Sequence, residues 1–452
     1  MAGRSDNKQN RQEFSMDQPL INRRQALGLL GATGAVTALG SLGVPMTARA
    51  AGAGHVVVVG GGFGGATAAK FLKRFNPAVE VTLVEASEHF YTCPFSNWYL
   101  GGLREMAYIR HGYDELKDRY GVHVVHATAE DVDGDRHEVR LSTGERVRYD
   151  KLVLSPGIDF DWDGLEGYDE AAAEKAPHAW KAGEQTRLLR SQLEAMDDGG
   201  LFILRAPDNP FRCPPGPYER VSLIAHYFKE HKPRSKILLL DAKDNFSKQP
   251  LFMDGWEQVY GDMIEWVGAS QDGNVISVDA DNRTVETEFG SRHQADVLNI
   301  VPPQQAGFIA HRAGVADDSG WVPVKPQTFE STQVDDIYVV GDATIAAPMP
   351  KSGFCANAQA KVVASAIVSE FAGHEPPPAI WNNTCYSLIA PGYGISVAGV
   401  YKVIDGQIAE VPGSGGVSPR DTDEAFRARE AEYAVNWYEA MSEDTWGTRF
   451  RG

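Results

Sequence analysis

His55-Val56-Val57-Val58-Val59-Gly60-Gly61-Gly62-Phe63-Gly64-Gly65 decides the fold of this chain. The run His55 to Val59 reads as a buried parallel strand, and it feeds a glycine-rich turn. Ala66 to Phe75 then has the make-up of a helix, stopped by Pro77, and Val79 to Glu85 is a second strand. Gly60-x-Gly62-x-x-Gly65 therefore sits between a strand and a helix, with Glu85 closing the next strand twenty residues past Gly65. That context turns a weak pattern into a dinucleotide-binding fingerprint. Gly60 permits the tight turn, Gly62 lets backbone approach a pyrophosphate, and Gly65 lets the helix pack close to the sheet. A diphosphate would lie on the helix N-terminus, and Glu85 would accept from ribose hydroxyls.

Outward from the fingerprint, residues 121–155 read as short strands with turns at Gly134 and Gly144. Leu152-Val153-Leu154-Ser155-Pro156-Gly157 is the exit from this first unit. A helix-rich stretch is expected over 177–196. Leu201–Leu204 and Ile237–Asp241 bracket a further strand–helix–strand unit, and near Val297 the chain is expected to return to the first. Ile337-Tyr338-Val339-Val340-Gly341-Asp342 is an apolar strand ending in Gly-Asp. It resembles the second FAD motif of flavoprotein reductases built from two dinucleotide folds, in which the Asp binds the ribityl chain. By itself such a strand ending in an Asp is common, and its pairing with the first motif carries the weight. The expected class is thus α/β: two Rossmann-like domains of the flavoprotein disulfide-reductase type and a small C-terminal α+β domain. The expected boundaries are 1–50 for a leader, 51–160 plus 297–374 for the FAD-binding domain, 161–296 for the second Rossmann-like domain, and 375–452 for the C-terminal domain, entered through Pro376-Pro377-Pro378.

Reductases of that type carry a second glycine fingerprint for NAD(P)H. Here residues 205–217 hold Arg-Ala-Pro-Asp-Asn-Pro-Phe-Arg-Cys-Pro-Pro-Gly-Pro instead. Prolines and bulky side chains there would block backbone approach to a pyrophosphate, so no NAD(P) site is expected.

The N-terminus carries Asn22-Arg23-Arg24-Gln25-Ala26-Leu27, an uncharged stretch from Ala26 to Met46, and Ala48-Arg49-Ala50. This reads as a twin-arginine export signal cleaved before Ala51, a route for proteins folded with their cofactor, and hence as a periplasmic address. The competing readings are a disordered arm and an uncleaved anchor. Removing six basic and three acidic residues with this leader takes the net charge from −18 to −21. So acidic a chain repels nucleic acid and anionic lipid.

Four cysteines remain: Cys93, Cys213, Cys355 and Cys385. In an exported chain they could form two structural disulfides. Cys213 precedes a helix expected over 218–231, where a thiol is more readily ionised. Tyr91-Thr92-Cys93, Arg212-Cys213-Pro214-Pro215-Gly216-Pro217-Tyr218-Glu219-Arg220, Lys351-Ser352-Gly353-Phe354-Cys355-Ala356-Asn357 and Thr384-Cys385-Tyr386-Ser387-Leu388-Ile389-Ala390-Pro391 together resemble the flavoprotein subunits of flavocytochrome c sulfide dehydrogenases. The resemblance covers essentially all of the chain after the leader. It implies FAD held to Cys93 by an 8α-thioether, a redox-active disulfide between Cys213 and Cys385, and Glu219 beside the flavin as a candidate proton acceptor. Glu219 equally fits a carboxylate that complements its helix dipole. Cys355 departs from the pattern: it is either a buried inert thiol or a competitor for the disulfide, and three pairings of Cys213, Cys355 and Cys385 are open.

The resemblance further implies that hydrosulfide opens the disulfide to a persulfide and a thiolate, that electrons pass to FAD, and that a c-type cytochrome subunit receives them singly. No Cys-x-x-Cys-His occurs in the chain, so haem would belong to that partner, and no metal site is expected. Two rivals stand beside this reading. One is a sulfide:quinone oxidoreductase, against which the acidic tail around Asp421–Glu432 argues. The other is a non-catalytic flavoprotein that scaffolds a cytochrome.

Overall fold

Parallel pairing of valine-rich strands builds the first sheet. The computed structural model describes residues 54–447, so the expected leader and its arginine pair lie outside the described residues. In spatial order the strands are Ile337–Val339, Lys151–Leu154, His55–Val59, Glu80–Val84 and His123–Val125, all parallel. Val56, Val57, Val58, Leu152 and Leu154 are fully buried, as a parallel sheet covered on both faces requires. The helices Phe63–Phe75 and Gly353–Phe371 pack against each other over it.

A second parallel sheet has the order Ile264–Val267, Lys236–Asp241, Leu201–Ala206 and Val297–Ile300. The helix Gly216–His231 connects its two central strands. Here the expected boundary at 297 is corrected. Val297–Ile300 pairs with Phe202–Arg205 and completes the second sheet, and the return comes later, where Gln304–Ala306 runs antiparallel to Ile158–Phe160. A short apolar run suits either parallel sheet, so its composition did not say which.

Within the helix-rich stretch expected over 177–196, the helix is confined to the later part. Helix occupies Glu184–Ala195 only. Residues 177–183 are irregular because their carbonyls are taken up from elsewhere: Arg220 donates to His178 O at 3.1 Å and to Ala179 O at 2.7 Å.

After residue 379, a long antiparallel pair, Ile380–Ala390 with Tyr393–Ile404, is extended by Gln407–Glu410 and flanked by Gly416–Val417. The helix Glu424–Trp446 crosses this sheet. Asp423 caps its start by accepting from Phe426 N–H at 2.7 Å, and Gly447 ends it at φ +72°. Its last residue, Trp446, is buried, stacks on His111 at 4.5 Å and donates from Nε1 to Gly61 O at 3.1 Å. The C-terminal helix thereby braces the glycine turn. Among the described residues, no helix is long and apolar enough to cross a membrane.

Candidate active site

A cavity of about 550 Å³ runs from the glycine turn to the cysteines. At its nucleotide end Gly60 has φ +97°, and a Cβ there would meet Ser155 O at 2.3 Å. A Cβ on Gly65 would fall 1.7 Å from Gly60 O, so only glycine lets helix and turn come this close. Gly62 caps the helix Phe63–Phe75 without a side chain, which leaves first-turn amides for an anion. Glu85 lines the cavity, with its carboxylate held by Gly61 N–H at 2.6 Å and Ser87 N–H at 2.9 Å.

Farther along, three buried polar atoms of cavity-lining residues have no partner among the described residues: Asp342 Oδ1, Arg212 Nε and Trp437 Nε1. Burial raises the Asp342 carboxyl, opposed by Arg212 and Lys351. Orphaned buried groups are costly, and a ligand offering hydroxyl, carbonyl and ring-nitrogen groups would satisfy all three. A dinucleotide with a polyol chain, such as FAD, has that chemistry, so the residues fit the cofactor the fingerprint implies.

Cys93, Cys213 and Cys385 all line the cavity, although they come from three distant segments. Cys93 follows the strand Phe90–Tyr91, and Cys385 lies within Ile380–Ala390. Cys213 sits at φ +59°, a left-handed conformation strained for any residue with a Cβ. Two bonds hold it there: its N–H donates to Lys351 O at 2.8 Å, and its carbonyl accepts from Gly216 N–H at 2.8 Å. Gly216 is obligatory, because a Cβ there would come 3.0 Å from Cys213 Sγ and 2.7 Å from the Trp180 ring. Cys93 and Cys213 are in hydrogen-bonding contact. Cys93 is the more acidic of the pair, because Cys213 donates to it and Arg212 and Arg220 face it.

Cys355 does not line the cavity. It is 1% exposed, in the first turn of Gly353–Phe371, and burial pushes its thiol up to about 12. Its N–H is spent on the helix cap, donating to Ser352 Oγ at 3.1 Å.

Glu219 also stands back from the cavity. Its Oε2 accepts from Asn97 Nδ2 at 2.9 Å, while Oε1 accepts from Leu388 N–H at 3.0 Å and Trp98 Nε1 at 3.4 Å. It thus ties its own helix to the segments that carry Cys93 and Cys385. Burial raises its carboxyl.

The model of the sulfide dehydrogenase (flavocytochrome c) flavoprotein chain, central region, matches residues 186–302. That of the flavocytochrome c sulphide dehydrogenase flavin-binding domain matches 377–446, and that of the pyridine nucleotide-disulphide oxidoreductases matches 54–194. The sulfide dehydrogenase (flavocytochrome c) flavoprotein chain of Chlorobaculum thiosulfatiphilum is 63% identical over 43 residues, which are 10% of this chain and 90% of that sequence. This chain belongs to the flavocytochrome c sulfide dehydrogenase flavoprotein family. It is a flavoprotein of oxidoreductase type, in keeping with the two-sheet α/β fold. The mitochondrial sulfide:quinone oxidoreductase of Mus musculus is 24% identical over 299 residues, 64% of this chain and 65% of the mouse protein. The chain therefore spans just under two thirds of that relative's length. The crystal structure of the sulfide:quinone oxidoreductase of Aquifex aeolicus superposes with a TM-score of 0.67 at 20% identity, covering 88% of this chain and 94% of that one.

In this flavocytochrome c family member, sequence reasoning missed three cations around the cysteines. Arg212 reaches the cavity and donates to Trp180 O. Arg220, 1% exposed, donates to Asn97 Oδ1 at 3.0 Å and to Asn299 Oδ1 at 2.9 Å. Both lie inside the motif at 212–220, so their neighbourhood was legible if not their contacts. The third, Lys248, follows Ser247 in a loop with no motif to mark it.

Proposed function

We propose that this chain oxidises hydrosulfide outside the cytoplasm, with FAD in the cavity, and hands electrons to a c-type cytochrome subunit. The observation that carries the reading is the convergence of three cysteines on one cavity whose far end is the dinucleotide fingerprint. Cys93 is the 8α-thioether ligand, since it lines the cavity and lies in the Tyr-Thr-Cys motif. Cys213 and Cys385 form the redox disulfide, and Cys355 stays a thiol in the core.

The residues perform a balanced exchange. Hydrosulfide attacks one disulfide sulfur, the S–S bond breaks, and one cysteine becomes a persulfide while the other leaves as a thiolate; the single negative charge is conserved. Simple displacement of the outer sulfur by the thiolate would only return hydrosulfide. Re-forming the disulfide with that sulfur leaving at the zero-valent level instead removes two electrons and one proton from the thiolate–persulfide pair, and the electrons need an acceptor. FAD, when bound, takes such an electron pair and passes electrons on singly. Gly60 to Gly64 and Glu85 would hold its nucleotide end, Asp342 would accept from its polyol chain, and Trp437 and Arg212 would supply donors. The loop at 207–215 carries Cys213 in place of a nicotinamide site, so NAD(P)H is not a donor. Glu219 acts as a tie among the three cysteine segments rather than as a proton acceptor, since its oxygens are engaged away from the cavity. The twin-arginine leader gives the periplasmic location.

Purification from the native source tests this. A haem-staining partner should co-purify, acid-precipitated protein should stay yellow, and sulfide should bleach the flavin while NADH does not. Free FAD in the acid supernatant or rapid reduction by NADH would overturn the reading. The match to sulfide:quinone oxidoreductases favours a second reading in which a quinone is the acceptor. Sulfide-reduced protein that prefers a soluble quinone to cytochrome c would select it.

A further inference from the structure

Lys248 has no role in the chemistry above, yet it is held at visible cost. It precedes the helix Gln249–Tyr260 at φ +63°, left-handed and unfavourable for a lysine. It is only 5% exposed. Among the described residues its ammonium makes one hydrogen bond, to Ser387 Oγ at 2.8 Å, and no ion pair. Buried lysines are normally paired, because an isolated charge in a dry interior is strongly disfavoured.

Its surroundings indicate what it waits for. Ser387 lies two residues beyond Cys385 in the strand Ile380–Ala390, so the two side chains share a face. Burial lowers the Lys248 ammonium, opposed first by Cys385, then by Glu219 and Cys213 from the segment 213–219, and by Glu430 from the C-terminal helix. Burial raises the Cys385 thiol and Lys248 opposes that rise, while Glu219 and Cys93 add to it. Lys248 is the cation among them. Glu430 is turned to other partners, accepting from Ser396 Oγ at 2.6 Å and Ser418 Oγ at 2.7 Å. Glu219 is engaged by Asn97, Trp98 and Leu388.

We propose that Lys248 is the fixed counter-ion of the thiolate that Cys385 carries once the disulfide is open. This rests on the reading of Cys213 and Cys385 as the redox pair. It also gives the opening step a direction. The thiol of lower pKa is the better leaving group, and in a water-poor wall a neighbouring ammonium favours the anion strongly. Hydrosulfide therefore attacks Cys213 Sγ, the bonding pair of the S–S bond passes to Cys385, and the products are a Cys213 persulfide and a Cys385 thiolate beside Lys248. No proton has to move.

The test uses reduced holoprotein alkylated with iodoacetamide across the neutral to alkaline range, with each cysteine peptide quantified by mass spectrometry. Lys248→Met, a similar-sized apolar replacement for an unpaired buried charge, should leave flavin content unchanged. Cys385 alkylation at neutral pH should fall at least about ten-fold, with its midpoint up by about one pH unit. Cys213 should keep its profile. Lys248→Gln, which can keep the Ser387 bond, should show the same loss and serves if the methionine variant misfolds. A Cys385 profile unchanged in both variants would overturn the proposal. In sulfide-treated wild-type protein a trapped persulfide is expected on the Cys213 peptide, and one on Cys385 would overturn its assignment as the thiolate. Alkylation of reduced thiols does not require turnover. Failure of the wild type to react with sulfide would remove the proposed function and leave the alkylation profiles to decide the counter-ion.

Discussion

Whether a cysteine reacts in this molecule depends on the wall in which it is set. Cys93 opens on the cavity with arginines facing it, whereas Cys355 is buried in the first turn of the helix Gly353–Phe371 with its thiol pushed up to about 12. Four substitutions therefore separate by outcome. Cys93→Ala should fold, because the glycine turn and Asp342 remain, but release its flavin on acid precipitation. Cys213→Ser and Cys385→Ser should keep flavin and lose sulfide-dependent bleaching. Cys355→Ser should cost about 1 kcal/mol of stability and leave bleaching intact. Peptide mapping of unreduced protein checks the assignment, and a disulfide containing Cys355 in active protein would contradict it.

At the scale of elements, what was legible in the sequence is what local physics dictates. The strand–turn–helix at 55–75 and the acid at 85 follow from a valine run, three glycines and a charge in register, all within one supersecondary unit. Val-Leu-Asn-Ile at 297–300 fits either sheet by composition, and 177–183 is irregular because Arg220, about forty residues on, takes up its carbonyls. Glu219 shows the same limit. Its place in the first turn of a helix was readable, but its partners at 97, 98 and 388 were not. Those partners make a prediction about elements rather than chemistry. Glu219→Gln keeps the shape but puts an amide NH₂ against the N–H donors of Asn97 or Leu388, and one buried donor is left unpaired. The expected loss is about 1–3 kcal/mol, read as a lower melting temperature with flavin bound. A variant with wild-type melting and slower sulfide oxidation would instead restore Glu219 as a proton acceptor.

For the molecule as a whole, two buried histidines set how the fold responds to acid. Burial pulls His111 down to about 4 and His178 to about 3. His178 is held neutral by geometry as well, since its Nδ1 accepts from Trp180 N–H at 2.9 Å. In the unfolded chain each imidazole would take a proton near pH 6.5. Below that pH the unfolded state binds more protons than the folded state, so stability falls as pH falls. The loss begins near the unfolded value and continues until the folded-state values are passed. At about 1.4 kcal/mol per pH unit, His111 alone accounts for about 3 kcal/mol across its window. Glu219 and Asp342, whose carboxyls burial raises, act in the opposite sense from the ordinary carboxylate value upward. The histidine contribution is therefore read as the difference between wild type and a histidine variant, from neutrality to about pH 5. Melting temperature should decline over that interval in wild-type protein. His111→Gln, which can still bond the Tyr438 hydroxyl, should flatten the decline even if it lowers stability at pH 7. An equal slope in variant and wild type would show that His111 does not carry the acid response.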